Sequence, residues 1–454
     1  MTGKELVIAA MKHEDLPAVP WVPFAGVHAG KLKGYTGREV LTEPRKLMEA
    51  LLEVNRVYDP DGQTVVFDLQ VEAEILGCKL LWAEKAPPSI ASHPLADTPQ
   101  IPSRLPEKGD GRLPFILDVM RQMKQAVGQR TALYGLVTGP LTLASHLRGT
   151  EFFMDMMQNP EFAQALLAFT RDVVIRVSQY YVAAGMDVIA VVDPVVSLVS
   201  PRLFRNLLSG PFSKIFSAIR SLGAFSSFFV CGDATKNIDE MCQTCPDSIS
   251  IDENIDMISA KQITDRYNIT IGGNIPLTST MLLGTQQDNM KFVVDLFEKL
   301  AAAGISVRRN YILSPGCDMP YDIPPQNVIG ILQAVRDPHS THKILETYHT
   351  PVANLQVDLP DYAHLSQPLI EVFTIDSDTC AACGYMLRVA QRAVEELHGN
   401  ADLAEYKITQ PENIARIKKM GIQHLPAIFV NGELKFSSII PSVQELLDEV
   451  SKAR

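Results

Sequence analysis

Along the first two-thirds of the chain, short apolar runs rich in β-branched residues alternate with stretches whose apolar residues recur at helical spacing. Eight such runs stand out: Val19–Phe24, Gln63–Asp68, Thr131–Val137, Asp187–Val192, Ser226–Cys231, Ser248–Asp252, Thr270–Asn274 and Asn310–Ser314. Runs of this kind suit strands buried on both faces, and the amphipathic stretches between them are long enough for crossover helices. Eight repeats fit a closed (β/α)8 TIM barrel better than an open sheet. The longest crossover contains APPSIASHPLADTPQIPSRLP, whose prolines read as an excursion over the surface rather than as a helix.

From about Asp337 to Gln367 the periodicity fades, and three prolines and four histidines appear among turn formers. This stretch reads as a linker, which divides the α/β chain into a barrel at 1–340, a connection at 341–366 and a second domain at 367–454. In the second domain, Pro368–Ile375 reads as a strand, Cys380–His398 as a helix and Glu405–Ile408 as a strand. A helix at Glu412–Lys419, a hairpin around Asn431-Gly432 and a closing helix at Val443–Lys452 follow.

The 454 residues carry 41 Lys and Arg against 52 Asp and Glu, a net charge of -11, and no basic run stands out, so nucleic acid is not expected as a partner. With 46% hydrophobic and 20% charged residues, the chain has ample material for a large core. MTGKELVIAAMKHED holds too short an apolar stretch for a secretory signal. The most apolar segment, MDVIAVVDPVVSLVS, is interrupted by Asp193 and Pro194, so no membrane association is expected and the reading is cytoplasmic. Seven cysteines in such a chain point to metal, redox or catalytic chemistry rather than to a disulfide framework.

On a barrel of this kind, chemistry sits where the strands end. His28, Asp68, Thr138-Gly139-Pro140, Asp193, Cys231-Gly232-Asp233, Asp252-Glu253, Asn274 and Cys317-Asp318 follow the eight runs in turn. His28 is placed either to assist proton movement or to cap its loop. The Gly139-Pro140 turn would shape the pocket floor, and Asn274 would meet substrate. Asp193 and Asp252 would orient polar substrate groups or bond loop amides. Cys78, Cys242 and Cys245 read as structural thiols, and His146 as a helix residue contacting its neighbours.

In the second domain, Cys380-Ala381-Ala382-Cys383 opens the first helix, where backbone N–H groups and the helix dipole favour a thiolate on Cys380, with Cys383 one turn along to resolve a mixed disulfide. Pro426, in HLPAIFVNGELKF, directly precedes a strand. This combination resembles the thioredoxin fold, in particular small glutaredoxin-like redox proteins, and the resemblance implies a cis proline at Pro426 facing the dithiol.

The segments FDLQVEAEILGC, VTGPLTLASHLRG, FFVCGDATKNIDEM, SIDENIDM, GGNIP and SPGCDMPYDIPPQN resemble, in order, those of the uroporphyrinogen decarboxylase superfamily. Within it they resemble the corrinoid-dependent methyltransferases that move a methyl group between methylcobalamin and a thiol. The resemblance spans about residues 1–336. It implies zinc held by a His-x-Cys pair at the fifth strand and a later cysteine after the eighth, with the metal keeping the acceptor thiol as thiolate. Cys231 and Cys317 match the two cysteines, but the histidine position is Phe229.

Three readings follow. A carboxylate, Glu72 or Asp68, completes a zinc site; or Cys231 and Cys317 act as a thiol pair exchanging electrons with Cys380 and Cys383; or both are relics beside another pocket. No cobalamin-carrying DxHxxG segment is present, so a partner corrinoid protein would supply the corrin. The leading expectation is methyl transfer between that corrinoid and a small-molecule thiol or related acceptor. A thiol-disulfide redox enzyme is the alternative. Decarboxylation of a porphyrinogen is weaker, because the loop after the first strand, FAGVHAGKLKG, lacks an arginine to grip substrate carboxylates. Surplus apolar helix surface could pair two copies as a homodimer.

Overall fold

The computed structural model describes all residues except 98–99, 347, 349–356, 378–380, 409, 423–424 and 453–454. The chain divides into two compact units, one built from nearly all of residues 1–349 and one from residues 350–454 together with 197–199.

The first unit is a parallel barrel. Seven strands, Gly62–Thr64, Ala132–Thr138, Val188–Val192, Phe225–Phe229, Ser248–Ser250, Thr270–Ile275 and Tyr311–Pro315, pair in that order, all parallel. The eighth stave is the extended segment around Trp21, which closes the ring. The Leu313 N–H donates to Pro20 and the Val22 N–H to Leu313 on one side, while the Asp61 N–H donates to Trp21 on the other. Each of the eight runs read from the sequence overlaps one of these staves, though the second, read as Gln63–Asp68, is a strand only at Gly62–Thr64; most are apolar enough to be buried on both faces.

The interior is filled from below. The helix Gly3–Met11 is fixed at its start by a capping box between Thr2 and Glu5, and it buries Leu6, Val7, Ala10 and Met11 against Val22, Tyr134 and Ile312. The Thr270 hydroxyl donates to the Ala10 carbonyl, which ties this helix to the sheet. Above this plug, Phe24, Phe67 and Phe229 form an aromatic layer, with Cys231, Cys317 and Leu69 packed against the same cluster. The long proline-rich crossover includes a two-stranded ribbon, Leu80–Leu81 against Ser89–Ile90. The stretch read as a linker begins with a helix, Pro338–Leu345, capped by the Asp337 carboxylate accepting from the Ser340 N–H. Its histidines and short length hid that helix from a periodicity reading.

The second unit has a four-stranded sheet in the order Asp402–Lys407, Leu369–Thr374, Ala427–Val430 and Glu433–Ser437. Its first pair is parallel and the others are antiparallel. Helices Ala381–Glu396 and Val443–Lys452 share one apolar cluster with Ile370, Val372, Ile428 and Val430, while Phe373, Ala427 and Phe429 face Ile417 and Met420 on the other side. This division follows the period-2 alternation of a strand. Tyr362, from the end of the stretch read as a linker, donates to Glu371 of the central strand and so belongs to this unit.

Candidate active site at the barrel mouth

The fifth and eighth staves deliver the two mouth cysteines to one place. Cys231 follows Phe225–Phe229 by two residues and Cys317 follows Tyr311–Pro315 by two, and their Cα atoms lie 6.0 Å apart with the sulfurs bonded. Both cysteines remain partly exposed. Each of their loops is fastened by an acid. Asp252 accepts from the Gly232 N–H beside Cys231 and from the Asn254 N–H at 2.9 Å. Asp318 accepts from the Gly26 N–H at 2.8 Å, pinning the Cys317 loop to the first stave. A side chain at Gly26 would collide with the Asp318 carboxylate, which makes glycine necessary there. Burial lifts the Asp252 and Asp318 carboxyls above the usual carboxylate range, and burial followed by repulsion from Asp252 does the same to Glu253, whose carboxylate accepts from the Leu277 N–H.

The other residues singled out from sequence are engaged with the scaffold. His28 is fully buried. Its Nε2 lies 2.7 Å from the Tyr58 hydroxyl and its Nδ1 3.1 Å from the Tyr321 carbonyl, so both ring nitrogens are occupied. Burial lowers its pKa to about 4, which keeps it neutral near pH 7. Asp193 accepts from the Leu141 N–H at 2.9 Å, the Thr142 N–H at 3.1 Å and the Thr142 hydroxyl at 2.6 Å. It therefore satisfies the open amino end of the helix Pro140–Arg148, while burial lifts its carboxyl to about 7. Gly139 lies against Asp193, where a Cβ would meet the carboxylate. Asn274 donates to the Asp252 and Ile255 carbonyls, holding the loop after the sixth stave rather than reaching into the mouth.

Glu72 accepts from the Thr138 hydroxyl at 2.9 Å and the Thr138 N–H at 3.3 Å, and its burial lifts the carboxyl to about 7. Asp68 accepts from Arg112 at 2.6 Å and from the Gln70 N–H at 2.9 Å. Arg112 also donates to Glu74 at 2.6 Å and lies over the Trp82 ring at 5.1 Å. Sequence reasoning passed over Arg112 and gave no anchoring role to Asp318 or Glu253. For Arg112 no local signal existed, since its partner lies 44 residues earlier. For Asp318 and Glu253 the signal was their adjacency to Cys317 and Asp252.

The zinc ligands implied by resemblance are not assembled. Phe229, at the histidine position, is fully buried with its ring centroid 4.7 Å from Phe24 and 5.9 Å from Phe67. Neither carboxylate reading completes the site, because Glu72 is turned to Thr138 and Asp68 to Arg112. Among the described residues no group of three or more His, Cys, Asp or Glu side chains could hold a metal ion. The described residues therefore do not fit a zinc centre.

In the second unit, Cys383 is buried and its sulfur accepts from the Ile375 N–H at 3.3 Å. The Leu425–Pro426 peptide is cis. Cys380 lies outside the described residues. Of the remaining cysteines, Cys78 and Cys242 are buried and burial pushes both thiols up to about 12, while Cys245 is exposed. No helix among the described residues is long and apolar enough to cross a membrane.

A closed parallel barrel with its polar and sulfur groups gathered at the carboxyl ends of the strands defines an enzyme-type scaffold, and sequence comparison places it. The family model described as uroporphyrinogen decarboxylase (URO-D) matches residues 2–338, and the chain belongs to that family. A thioredoxin domain model matches residues 369–451. Two relatives are named methylcobamide:CoM methyltransferases. MtbA of Methanosarcina acetivorans is 25% identical over 347 residues, covering 74% of this chain and 98% of that protein. MtaA of Methanosarcina barkeri is 27% identical over 349 residues, covering 73% and 97%. A uroporphyrinogen decarboxylase of Nostoc punctiforme is 22% identical over 302 residues, covering 65% and 83%. A solved methyltransferase from Methanosarcina mazei superposes with a TM-score of 0.66 at 23% identity, covering 74% of this chain and 98% of that one, a likeness of fold.

Proposed function

We propose that the barrel is a methyltransferase that moves a methyl group between a corrinoid carried by a partner protein and a thiol or related small-molecule acceptor. The observation that carries this reading is the meeting of Cys231 and Cys317 at the mouth, on a barrel that spans nearly the full length of relatives named for corrinoid methyl transfer. The decarboxylase alternative is disfavoured by charge. A porphyrinogen bearing several carboxylates needs cations at the mouth, yet Arg112 is already bound by Asp68 and Glu74, and Asp252, Glu253 and Asp318 add acidic groups there.

Because the donor set does not fit zinc, no step of the reaction is assigned to a metal. What the chain itself offers is a rigid mouth: Asp252 and Asp318 fix the two cysteine loops, and Asp193 and Asn274 fix the loops on either side of the ring. Such fixed loops hold a donor and an acceptor in a constant geometry, which is the contribution expected of a scaffold that brings two substrates together. The test is transfer from methylcobalamin to a panel of small thiols, followed by loss of methylcobalamin absorbance and by mass spectrometry of the methylated product. Methylated thiol formed well above the rate without protein supports the reading. A protein that demethylates no methylcobalamin with any thiol, yet decarboxylates a porphyrinogen, would overturn it.

A further inference from the structure

An open pocket of about 280 Å³ is lined by Lys261, Asp265, Asn268, Ser306, Arg309 and Asn310. Lys261 and Asp265 belong to the helix Met257–Arg266, and Asn268 and Asn310 stand just before the amino ends of the seventh and eighth staves. The pocket is therefore at the end of the barrel opposite Cys231 and Cys317, and nothing at the mouth uses it. We propose that it is a second binding site of the barrel, one that takes a phosphate group, either free phosphate or the end of a small phosphate ester.

Three observations point to an anion. Lysine is almost never fully buried unless it is paired. Lys261 is only 1% exposed, and its ammonium has one hydrogen-bond partner among the described residues, Asp265 Oδ1 at 2.5 Å, so two of its three N–H groups are left to donate. Next, the acceptors on the pocket wall are engaged while its donors are not. Asp265 Oδ1 also accepts from the Asn310 amide at 3.5 Å, Asn268 Oδ1 accepts from the same amide at 3.2 Å, and Asn310 Oδ1 faces His13 Nδ1 at 3.0 Å. The Ser306 oxygen accepts from the Arg308 N–H at 3.1 Å, which leaves its own O–H to donate. With the Arg309 guanidinium and the Asn268 amide, donors from four residues line a pocket in which Asp265 Oδ2 is the carboxylate oxygen not already engaged. Last, Lys261 and Arg309 meet only Asp265 on this wall, a surplus of one positive charge in a chain of net charge -11. The other acid near Arg309 is Asp15, 3.8 Å away, and both side chains are more than half exposed, so water screens that pair. Burial pushes the Lys261 ammonium toward lower pKa, Asp265 opposes this and the Arg309 charge adds to it; an anion between the two cations would relieve their repulsion.

The number and spread of the donors select phosphate over a carboxylate. A carboxylate has two oxygens to offer them, whereas a phosphate ester has three strong acceptor oxygens and a charge of about -1.5 to -2 near neutral pH. Small-molecule sites commonly occupy roughly 300–1,000 Å³, so this pocket suits phosphate with a short organic tail and is small for a nucleotide. Binding there is coupled to the fold. Asn268 and Asn310 lead into two staves, and the contact between Asn310 and His13 ties the pocket to the end of the helix Gly3–Met11 that plugs the barrel. A ligand held only by this folded arrangement stabilises it by mass action.

The site does not rest on the methyl-transfer reading, and its readouts are separate. Isothermal titration of full-length protein with inorganic phosphate and with glycerol phosphate, near neutral pH and at constant ionic strength, should show one saturable site per chain, and the tighter of the two identifies the source of the phosphate group. Losing one charge-assisted hydrogen bond should weaken binding by about tenfold or more, in Lys261→Gln and in Arg309→Gln alike. The Arg309 side chain is 56% exposed, so Arg309→Gln should fold even where the Lys261 variant does not. Lys299→Gln removes an exposed charge from the last turn of the helix Gln286–Ala302, outside the pocket, and should bind as wild type does. The thermal midpoint should rise with phosphate in wild type and stay unchanged in Arg309→Gln. Absence of saturable binding of either phosphate to wild type would overturn the proposal, as would acetate bound as tightly as phosphate. Equal losses in Arg309→Gln and Lys299→Gln would overturn it too, since the effect would then be one of net charge.

Discussion

If Phe229 is what separates this barrel from a zinc-binding one, then Phe229→His should change its metal chemistry in a way that depends on the oxidation state of the mouth. In the wild type the phenyl is fully buried against Phe24 and Phe67. Full burial of a phenylalanine contributes about 1.5–3 kcal/mol, of which an imidazole of smaller apolar area keeps only part. A buried imidazole also brings polar nitrogens into an aromatic layer that offers them no partner, at about 1–3 kcal/mol for each group left unpaired. The metal-free variant should therefore be less stable than wild type by about 3–5 kcal/mol.

Once the Cys231–Cys317 bond is reduced, however, the variant presents a histidine two residues before Cys231, on the same strand face, together with Cys317. Zinc at about 100 times its dissociation constant would then return about 2.7 kcal/mol. The assay is urea denaturation of reduced and oxidised protein with and without zinc, paired with elemental analysis and cobalt(II)–thiolate absorption. The expected result is one zinc per chain in reduced Phe229→His, none when it is oxidised, and substoichiometric zinc in wild type under either condition. A reduced wild-type protein that holds one zinc per chain and loses it in Cys231→Ser would refute the reasoning, since a ligand set absent from the described residues would then have formed.

Other outcomes follow from the scaffold around the mouth. Arg112→Leu leaves the Asp68 carboxylate, whose side chain is fully buried, without its cation and should cost about 3–5 kcal/mol by urea midpoint, with much of the loss recovered in Asp68→Leu/Arg112→Leu; a single-variant cost below about 1 kcal/mol would show the pair to be solvated. His28 has a folded pKa of about 4 against an ordinary 6.5, so the unfolded chain binds a proton over that window that the folded chain does not. Its contribution is present above about pH 6.5 and lost as pH falls toward 4, and the stability advantage of wild type over His28→Leu should shrink by about 3 kcal/mol across that interval; an NMR titration of His28 with a midpoint near 6.5 would contradict it. Gly139→Ala should displace Asp193 from the helix Pro140–Arg148 and destabilise the barrel by about 1–3 kcal/mol, and an unchanged thermal midpoint would show that the loop can yield.

Much of the fold was legible because its elements are locally encoded. Most staves are apolar runs bounded by polar residues, and the closing helix Val443–Lys452 shows a clear helical period; both signals survive without tertiary context. The helix Pro338–Leu345 was missed because its length is set by the Asp337 cap and by packing, not by a repeated apolar face. For the site, position was readable and orientation was not. The sequence placed His28, Asp193 and Asn274 at strand ends, which they occupy, but it could not show that each is turned into the scaffold by a partner elsewhere: Tyr58 for His28, the Leu141 and Thr142 amides for Asp193, and the Ile255 carbonyl for Asn274. Those contacts join separate crossovers, and nothing in the local pattern of either segment announces the other.

The same distinction bears on what the mouth can do. A site that keeps a standing thiolate needs positive charge close to the sulfur, from a metal, a helix end or a cation. Here the histidine position is phenyl, and the groups that fasten the cysteine loops are the carboxyls of Asp252 and Asp318, which burial raises above their ordinary range. Negative charge opposes thiolate formation, and protonated carboxyls do nothing to favour it, so this mouth suits sulfur that is either bonded or protonated. Those are the two states that a dithiol–disulfide couple alternates between. A methyl acceptor bound there would then have to bring its own activation or draw it from the corrinoid partner, rather than from these two cysteines acting as metal ligands. Methyl transfer should therefore not depend on added zinc, and a rate that rises with zinc would refute this account of the mouth.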